Sequence, residues 1–169
     1  MYWYALLIAV IGVERLAELI VSKRNWAWSR ERGGVEFGAG HYPVMVVLHV
    51  GLLAGCLVEV LVLQRPFIPA LGWAMLAVVV AAQALRWWCI TTLGDQWNTR
   101  VIVVPGATRV TGGPYRLIAH PNYVAVVLEG IALPLVHSAW ITALVFTMLN
   151  AELLRARIRI ESKALASLT

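Results

Sequence analysis

Charge is scarce in this sequence. Only 14% of its 169 residues are Asp, Glu, Lys or Arg, whereas 60% are hydrophobic; a soluble domain carries about a quarter charged residues and about half apolar ones. Several stretches approach or exceed the ~20 apolar residues needed to cross a bilayer. That excludes an ordinary soluble domain and implies one compact integral membrane domain, residues 1–169, with no composition shift marking a second. Lysine is nearly absent, limited to Lys23 and Lys163 beside twelve arginines. No basic tract is interleaved with aromatics, so the net charge of +5 does not point to nucleic acid. Cys56 and Cys89 both lie in apolar runs at opposite depths, so no disulfide is expected. The four histidines (His41, His49, His120, His137) show no HExxH or CxxC spacing, and no metal site follows. Gly112-Gly113 does not extend to a dinucleotide fingerprint, no P-loop is present, and no Ser-His-Asp or Cys-His set is discernible. The N-terminus lacks the basic region of a signal peptide, and its apolar run carries Glu14, Arg15 and Glu18; it is expected to stay as a membrane helix.

What is present is a succession of five apolar segments: residues 2–21, 43–63, 68–90, 122–136 and 139–154. The expected architecture is all-α, a bundle of five transmembrane helices with a C-terminal cytoplasmic helical extension. Residues 1–93 would form a three-helix scaffold and residues 94–169 the functional region. Basic residues set the orientation. Lys23, Arg24, Arg30 and Arg32 follow segment one. Arg86, Arg100, Arg109 and Arg116 precede segment four, and Arg155, Arg157, Arg159 and Lys163 lie in the tail. The opposite side has only Arg65, which puts the N-terminus outside and the C-terminus in the cytoplasm. Trp26 and Trp28 read as interfacial anchors. Segments four and five form a tight hairpin through His137-Ser138, and each provides only ~22 Å of helix for a core ~30 Å thick. A polar pocket open to the cytosol is one consequence; local thinning of the bilayer is the other.

Between segments three and four, Gly112-Gly113-Pro114-Tyr115-Arg116-Leu117-Ile118-Ala119-His120-Pro121-Asn122-Tyr123 mixes turn formers with aromatic, basic and imidazole side chains. Pro121 suits the first helical position, where its missing N–H loses nothing. A helix starting there has His120 at its mouth, and the positive end of its dipole favours an anion. Spacing alone fits a loop that merely caps a helix equally well. In the tail, Asn150, Leu154, Arg157 and Glu161 share one helix face, while Leu149, Leu153, Ala156 and Ile160 make a separate apolar one. Arg157 and Glu161 are i, i+4 partners, in the weaker order for helix support. Glu14, His49, Arg86 and Glu129 fall in the inner half of the bilayer. They are expected to face the bundle interior and satisfy one another as an interhelical polar cluster rather than a proton relay. Glu18, nearer the inner end, is expected to snorkel.

From Arg86 onward the chain resembles the isoprenylcysteine carboxyl methyltransferase (ICMT) family of integral membrane enzymes. The resemblance rests on Val110-Thr111-Gly112-Gly113-Pro114-Tyr115, on His120-Pro121-Asn122-Tyr123 five residues further, and on Arg157-x-x-x-Glu161. It implies S-adenosylmethionine (SAM) bound on the cytoplasmic side, with cofactor contacts at Val110, Tyr115, His120, Pro121, Asn122, Tyr123 and Glu161. Arg157 falls on the acceptor side, and with Glu161 makes the catalytic pair. Asn150 and Glu129 are assigned to the acceptor. The family's arginine before His-Pro is Ala119 here and its second tail glutamate is Ser162, which suggests a divergent acceptor. Glu129, Pro134 and the Asn98/Arg100 loop look like a bacterial subset associated with O-methylation of long-chain alkylpyrones. The implied activity is methyl transfer at the cell membrane to a carboxylate or acidic enol of a lipophilic acceptor, alkylpyrone-like or prenylcysteine-like. Competing readings are a phospholipid N-methyltransferase, an NADPH enzyme of the sterol-reductase type, and a non-enzymatic membrane scaffold.

Overall fold

The computed structural model describes residues 2–166. Five helices carry the fold: α1 (Tyr2–Glu31), α2 (His41–Val62), α3 (Pro69–Leu93), α4 (Pro121–Leu135) and α5 (Trp140–Ala166). Two short strands, β1 (Val35–Phe37) and β2 (Val101–Val103), pair antiparallel with Val35 opposite Val103 and Phe37 opposite Val101. The all-helical expectation therefore gains a small ribbon. Three-residue strands are too short to leave a readable alternation in sequence. Helices α2 and α3 are each long and apolar enough to cross a membrane.

Helix α1 runs ten residues past the expected end at Val21. Its buried positions Tyr4, Ile8, Ile11, Glu18, Ser22, Asn25 and Ser29 form one continuous helical stripe that changes character halfway. The first half is apolar and packs into a core with Leu52 and Cys56 of α2, Val79 of α3 and Leu133 of α4. The second half is polar because it must satisfy the backbone of the α3–β2 connection. Asn25 Nδ2 donates to the carbonyls of Gly94 (3.0 Å) and Trp97 (2.7 Å), and Ser22 Oγ donates to Asn98 Oδ1 (2.8 Å). What reads as a basic loop is thus a helix holding down the loop opposite.

Two devices fix α4 and α5. Gly130 lets them approach, since a Cβ there would lie 2.2 Å from the Phe146 ring. At the far end, buried Glu59 of α2 accepts from the N–H groups of Ile141 (3.1 Å) and Thr142 (2.7 Å) and pairs with Arg65 (2.9 Å). A carboxylate at a helix N-terminus meets both free N–H groups and the positive dipole end. The turn between the helices places Ser138 at φ +57°, as a tight hairpin requires.

The polar cluster forms, with altered membership. Arg86 of α3 grips Glu129 of α4 at 2.6 Å and reaches Glu18 of α1 at 3.6 Å; Arg15 pairs with Glu18 (2.9 Å) and Glu129 (3.5 Å). Glu18 does not snorkel. It is buried because two guanidiniums converge on it. Glu14 is held beside them by Gln83 and by Trp87 Nε1. His49 stays out of these pairs: its Nδ1 bonds the Met45 carbonyl of its own helix at 2.8 Å. Removing one partner of a buried pair leaves an uncompensated charge, at a cost on the order of 3–5 kcal/mol. Arg86→Ala is therefore expected to lower the melting temperature of detergent-solubilised protein sharply, and Arg86→Met with Glu129→Leu to recover most of the loss. Equal destabilisation by the single and double variants would contradict a cluster held by charge pairing.

Candidate functional site

Helix α4 begins at Pro121 with His120 as its N-cap residue, as the proline predicts. The cap matters because its imidazole, one turn from Tyr123, is drawn to the tail of α5. His120 Nδ1 lies 3.5 Å from Glu161 Oε2, and the Tyr123 hydroxyl donates to the same oxygen at 2.9 Å. The two rings stack with centroids 5.5 Å apart. Residues 38 to 41 positions apart in sequence thus meet at one carboxylate, which remains partly exposed.

This meeting point borders a cavity of about 1050 Å³, at the upper end of ligand pockets, ~300–1,000 Å³. Asn150, Leu154, Arg157 and Glu161 all line it, so the predicted tail face is real and turned inward. The separate apolar face is not: Leu149 is exposed while Leu153 is buried against the same cavity. Arg157 and Glu161 do not pair. Arg157, buried, donates Nη2–H to the Thr99 carbonyl at 2.7 Å and Nη1–H to the Met45 sulfur, which leaves Glu161 to His120 and Tyr123. Intrahelical pairing loses because a buried guanidinium can reach a backbone carbonyl that would otherwise be stranded.

Val110, Tyr115, Asn122 and Tyr123 complete this side of the wall. Tyr115 stands on the turn Gly113–Arg116, whose first glycine has φ +53° and leaves no room for a Cβ, which would sit 2.5 Å from Thr92 Oγ1. Burial pushes the Tyr115 phenol well above its ordinary pKa, so it stays a neutral hydrogen-bond donor. Two expected residues do not reach the cavity. Pro121 is buried at the start of α4, and Glu129 sits behind the wall, tied to Arg86 and Arg15.

Much of the opposite wall comes from the three-helix scaffold, residues 1–93. Arg15, Glu18 and Arg86 border the cavity, as do Met45 and His49 of α2 and the β2 ribbon. For Arg15 the available signal is a charged residue within an apolar run. Asn122 Oδ1 and Asn150 Oδ1 are buried without a hydrogen-bond partner. Orphaned amide oxygens beside a partly exposed carboxylate and a helix N-terminus suit a ligand that carries both N–H donors and an anionic group. The methionine end and adenosine of SAM have that composition, so the residues present fit it.

The sequence profile described as "Isoprenylcysteine carboxyl methyltransferase (ICMT) family" matches residues 75–167. An uncharacterized protein of Bacillus subtilis (strain 168), YpbQ, is 40% identical over 98% of this chain and 96% of its own length. An uncharacterized protein of Haemophilus influenzae is 24% identical over 95% of this chain and 93% of its own. No solved structure matches significantly. The profile covers the motif loop, α4 and α5, the elements that build the His120–Tyr123–Glu161 corner, and more than half of the chain. On that match the chain belongs to the ICMT family of membrane methyltransferases.

Proposed function

We propose that this protein is a SAM-dependent O-methyltransferase of the membrane, acting on a carboxylate or acidic enol of a lipophilic acceptor. The observation that carries the reading is the convergence of His120, Tyr123 and Glu161 on one corner of a large cavity that also holds Arg157. Glu161 would bind the ammonium or ribose of the cofactor. The start of α4 at His120 through Tyr123 would receive its carboxylate, with Val110, Tyr115 and Asn122 closing around it. SAM supplies an electrophilic methyl group on a sulfonium. The protein's task is then to align that methyl with an acceptor oxygen and exclude water, since positioning can supply most of the acceleration.

Arg157 suits the acceptor side. A thioether is a weak hydrogen-bond acceptor, so the N–H now resting on Met45 is available to a charged oxygen, which it would bind far more strongly. The same guanidinium offers nothing to an amine acceptor, which disfavours phospholipid N-methylation. Asn150 would contact the acceptor beside it. Glu129, held off the cavity, would act by fixing Arg86 rather than by touching the acceptor.

The membrane arrangement follows from surface chemistry. Large apolar side chains are exposed on α1 (Leu6, Val10, Val13), on α5 (Leu144, Val145, Met148), and on α2 and α3. A soluble protein rarely exposes so continuous an apolar surface. Five membrane-embedded helices, with the N-terminus outside and the cavity mouth and tail facing the cytoplasm, suit these faces and the distribution of arginines.

S-adenosylhomocysteine (SAH) at a hundredfold excess over its Kd is expected to stabilise the purified protein by about 2.7 kcal/mol, with no effect from NADPH. Stabilisation by NADPH alone would favour a reductase, and by neither a scaffold. Arg157→Ala is expected to lower kcat/KM for an acidic lipophilic acceptor by roughly 10- to 150-fold, the equivalent of one charge-assisted hydrogen bond, with SAH binding unchanged. An unaltered rate would point to an acceptor that needs no cation.

A further inference from the structure

His49 stands apart from the other ionisable groups inside the bundle. Its Nδ1 contacts the Met45 carbonyl at 2.8 Å, and a carbonyl can only accept, so the proton is on Nδ1 and Nε2 carries a lone pair. The ring is packed edge-on against Phe146 at 5.6 Å and borders the cavity, while Nε2 has no partner among the described residues. The side chain is thus fixed in tautomer and orientation with its basic nitrogen unused. The other long polar side chains bordering this part of the cavity are of another kind: Arg15, Arg86 and Arg157 only donate, and Glu18 is already engaged by two arginines.

Met45 connects this histidine to the proposed acceptor site. Arg157 of α5 donates to its sulfur and His49 of α2 to its carbonyl. The guanidinium and the imidazole therefore meet at one residue from two helices, and both border the cavity. An acceptor oxygen that replaced the Met45 sulfur on Arg157 would sit at the residue whose carbonyl holds His49.

An acid dissolved in lipid arrives with its proton, because the anion is costly to hold in hydrocarbon. Methyl transfer to that oxygen must then dispose of a proton inside the cavity. Resting on the methyltransferase reading above, we infer that His49 Nε2 is the proton acceptor for the acceptor's O–H. The acceptor oxygen uses its lone pair to form the new O–CH₃ bond. The pair of the breaking S–CH₃ bond stays on sulfur, giving a neutral thioether, and the O–H proton passes to Nε2. The positive charge lost by the sulfonium reappears as imidazolium, so the cavity's net charge is conserved, and the proton leaves later to water. His120 is not the equivalent group, since its ring is committed to Glu161 and Tyr123 at the opposite corner.

The charged groups facing His49 are Arg15 from α1, Arg86 from α3 and Glu129 from α4, with Arg157 from α5 reaching it through Met45. Arg15, Arg86 and Glu129 are joined to one another, which leaves His49 the group in this set with an unengaged basic nitrogen.

The test uses full-length protein in lipid nanodiscs and a 6-alkyl-4-hydroxy-2-pyrone as probe, whose ultraviolet spectrum reports ionisation. At a pH where the free probe is neutral, the wild type with SAH bound should hold it as the anion with no proton released to an indicator dye. His49→Gln should still bind SAH, hold the probe neutral, and turn over at least about a hundredfold more slowly. The wild-type rate should rise with pH as the imidazole loses its proton and then level off, and the variant should lack that limb. Wild-type rate and spectrum in His49→Gln would overturn the inference and leave the methyltransferase reading intact. Failure of the wild type to bind SAH would overturn that reading instead. Should the variant not fold, the wild type decides: a probe bound neutral, or one that ionises with stoichiometric proton release, rules His49 out.

Discussion

The interaction on which the rest depends is the buried pairing of Arg86 with Glu129, extended by Arg15 and Glu18. Each of these groups would be prohibitively costly to bury alone. Together they tie α1, α3 and α4 at fixed depth and rotation, because Arg86 reaches carboxylates of both α1 and α4 and Arg15 of α1 also reaches Glu129. The cavity is the space left beside this joint. Its wall takes Arg15, Glu18 and Arg86 from the cluster itself, so the cluster that holds the bundle together also gives the cavity its polar side.

A second constraint works at the other corner. α4 has only fifteen residues and α5 twenty-seven, and the two are pinned together at one end by the Ser138 turn and by Glu59 on the α5 N-terminus. Their opposite ends are free to diverge and are drawn together by Glu161, which receives Tyr123 and His120. A short helix beside a long one leaves its N-terminus overlooked by the partner's tail. That mismatch, rather than any single residue, puts a helix start and a carboxylate around the same space.

Much of this was legible in the chain. The bounds of α2 to α4 and the start of α5 follow from apolar run lengths and from Pro121, whereas α5 runs on past the apolar end at residue 154 to Ala166; the Asn150–Leu154–Arg157–Glu161 face follows from helical spacing. The extension of α1 was not read, because Lys23, Arg24 and Asn25 end the apolar run. Yet Ser22, Asn25 and Ser29 continue the same stripe as Tyr4 and Ile8, and a period carried by polar residues is still a period. The ribbon was too short to show. The partner swap at Arg157 and Glu161 was invisible for a different reason: i, i+4 spacing gives proximity, and the choice of partner is made by the Thr99 carbonyl and Tyr123 hydroxyl, brought in from distant loops and helices. Depth in a bilayer alone gives a snorkelling Glu18; the guanidiniums that neutralise it come from Arg15 of its own helix and Arg86 of α3.

The start of α4 and the tail of α5 must hold one small molecule jointly for the proposed chemistry to occur. Equilibrium binding of labelled SAM to wild type, Glu161→Ala and Glu152→Ala measures this directly. Glu152 lies on the same helix but is exposed, and among the described residues it pairs only with Arg155. Loss of one charged hydrogen-bonding partner should weaken binding of Glu161→Ala by at least about tenfold, with Glu152→Ala matching wild type. Equal affinity in all three proteins would contradict it.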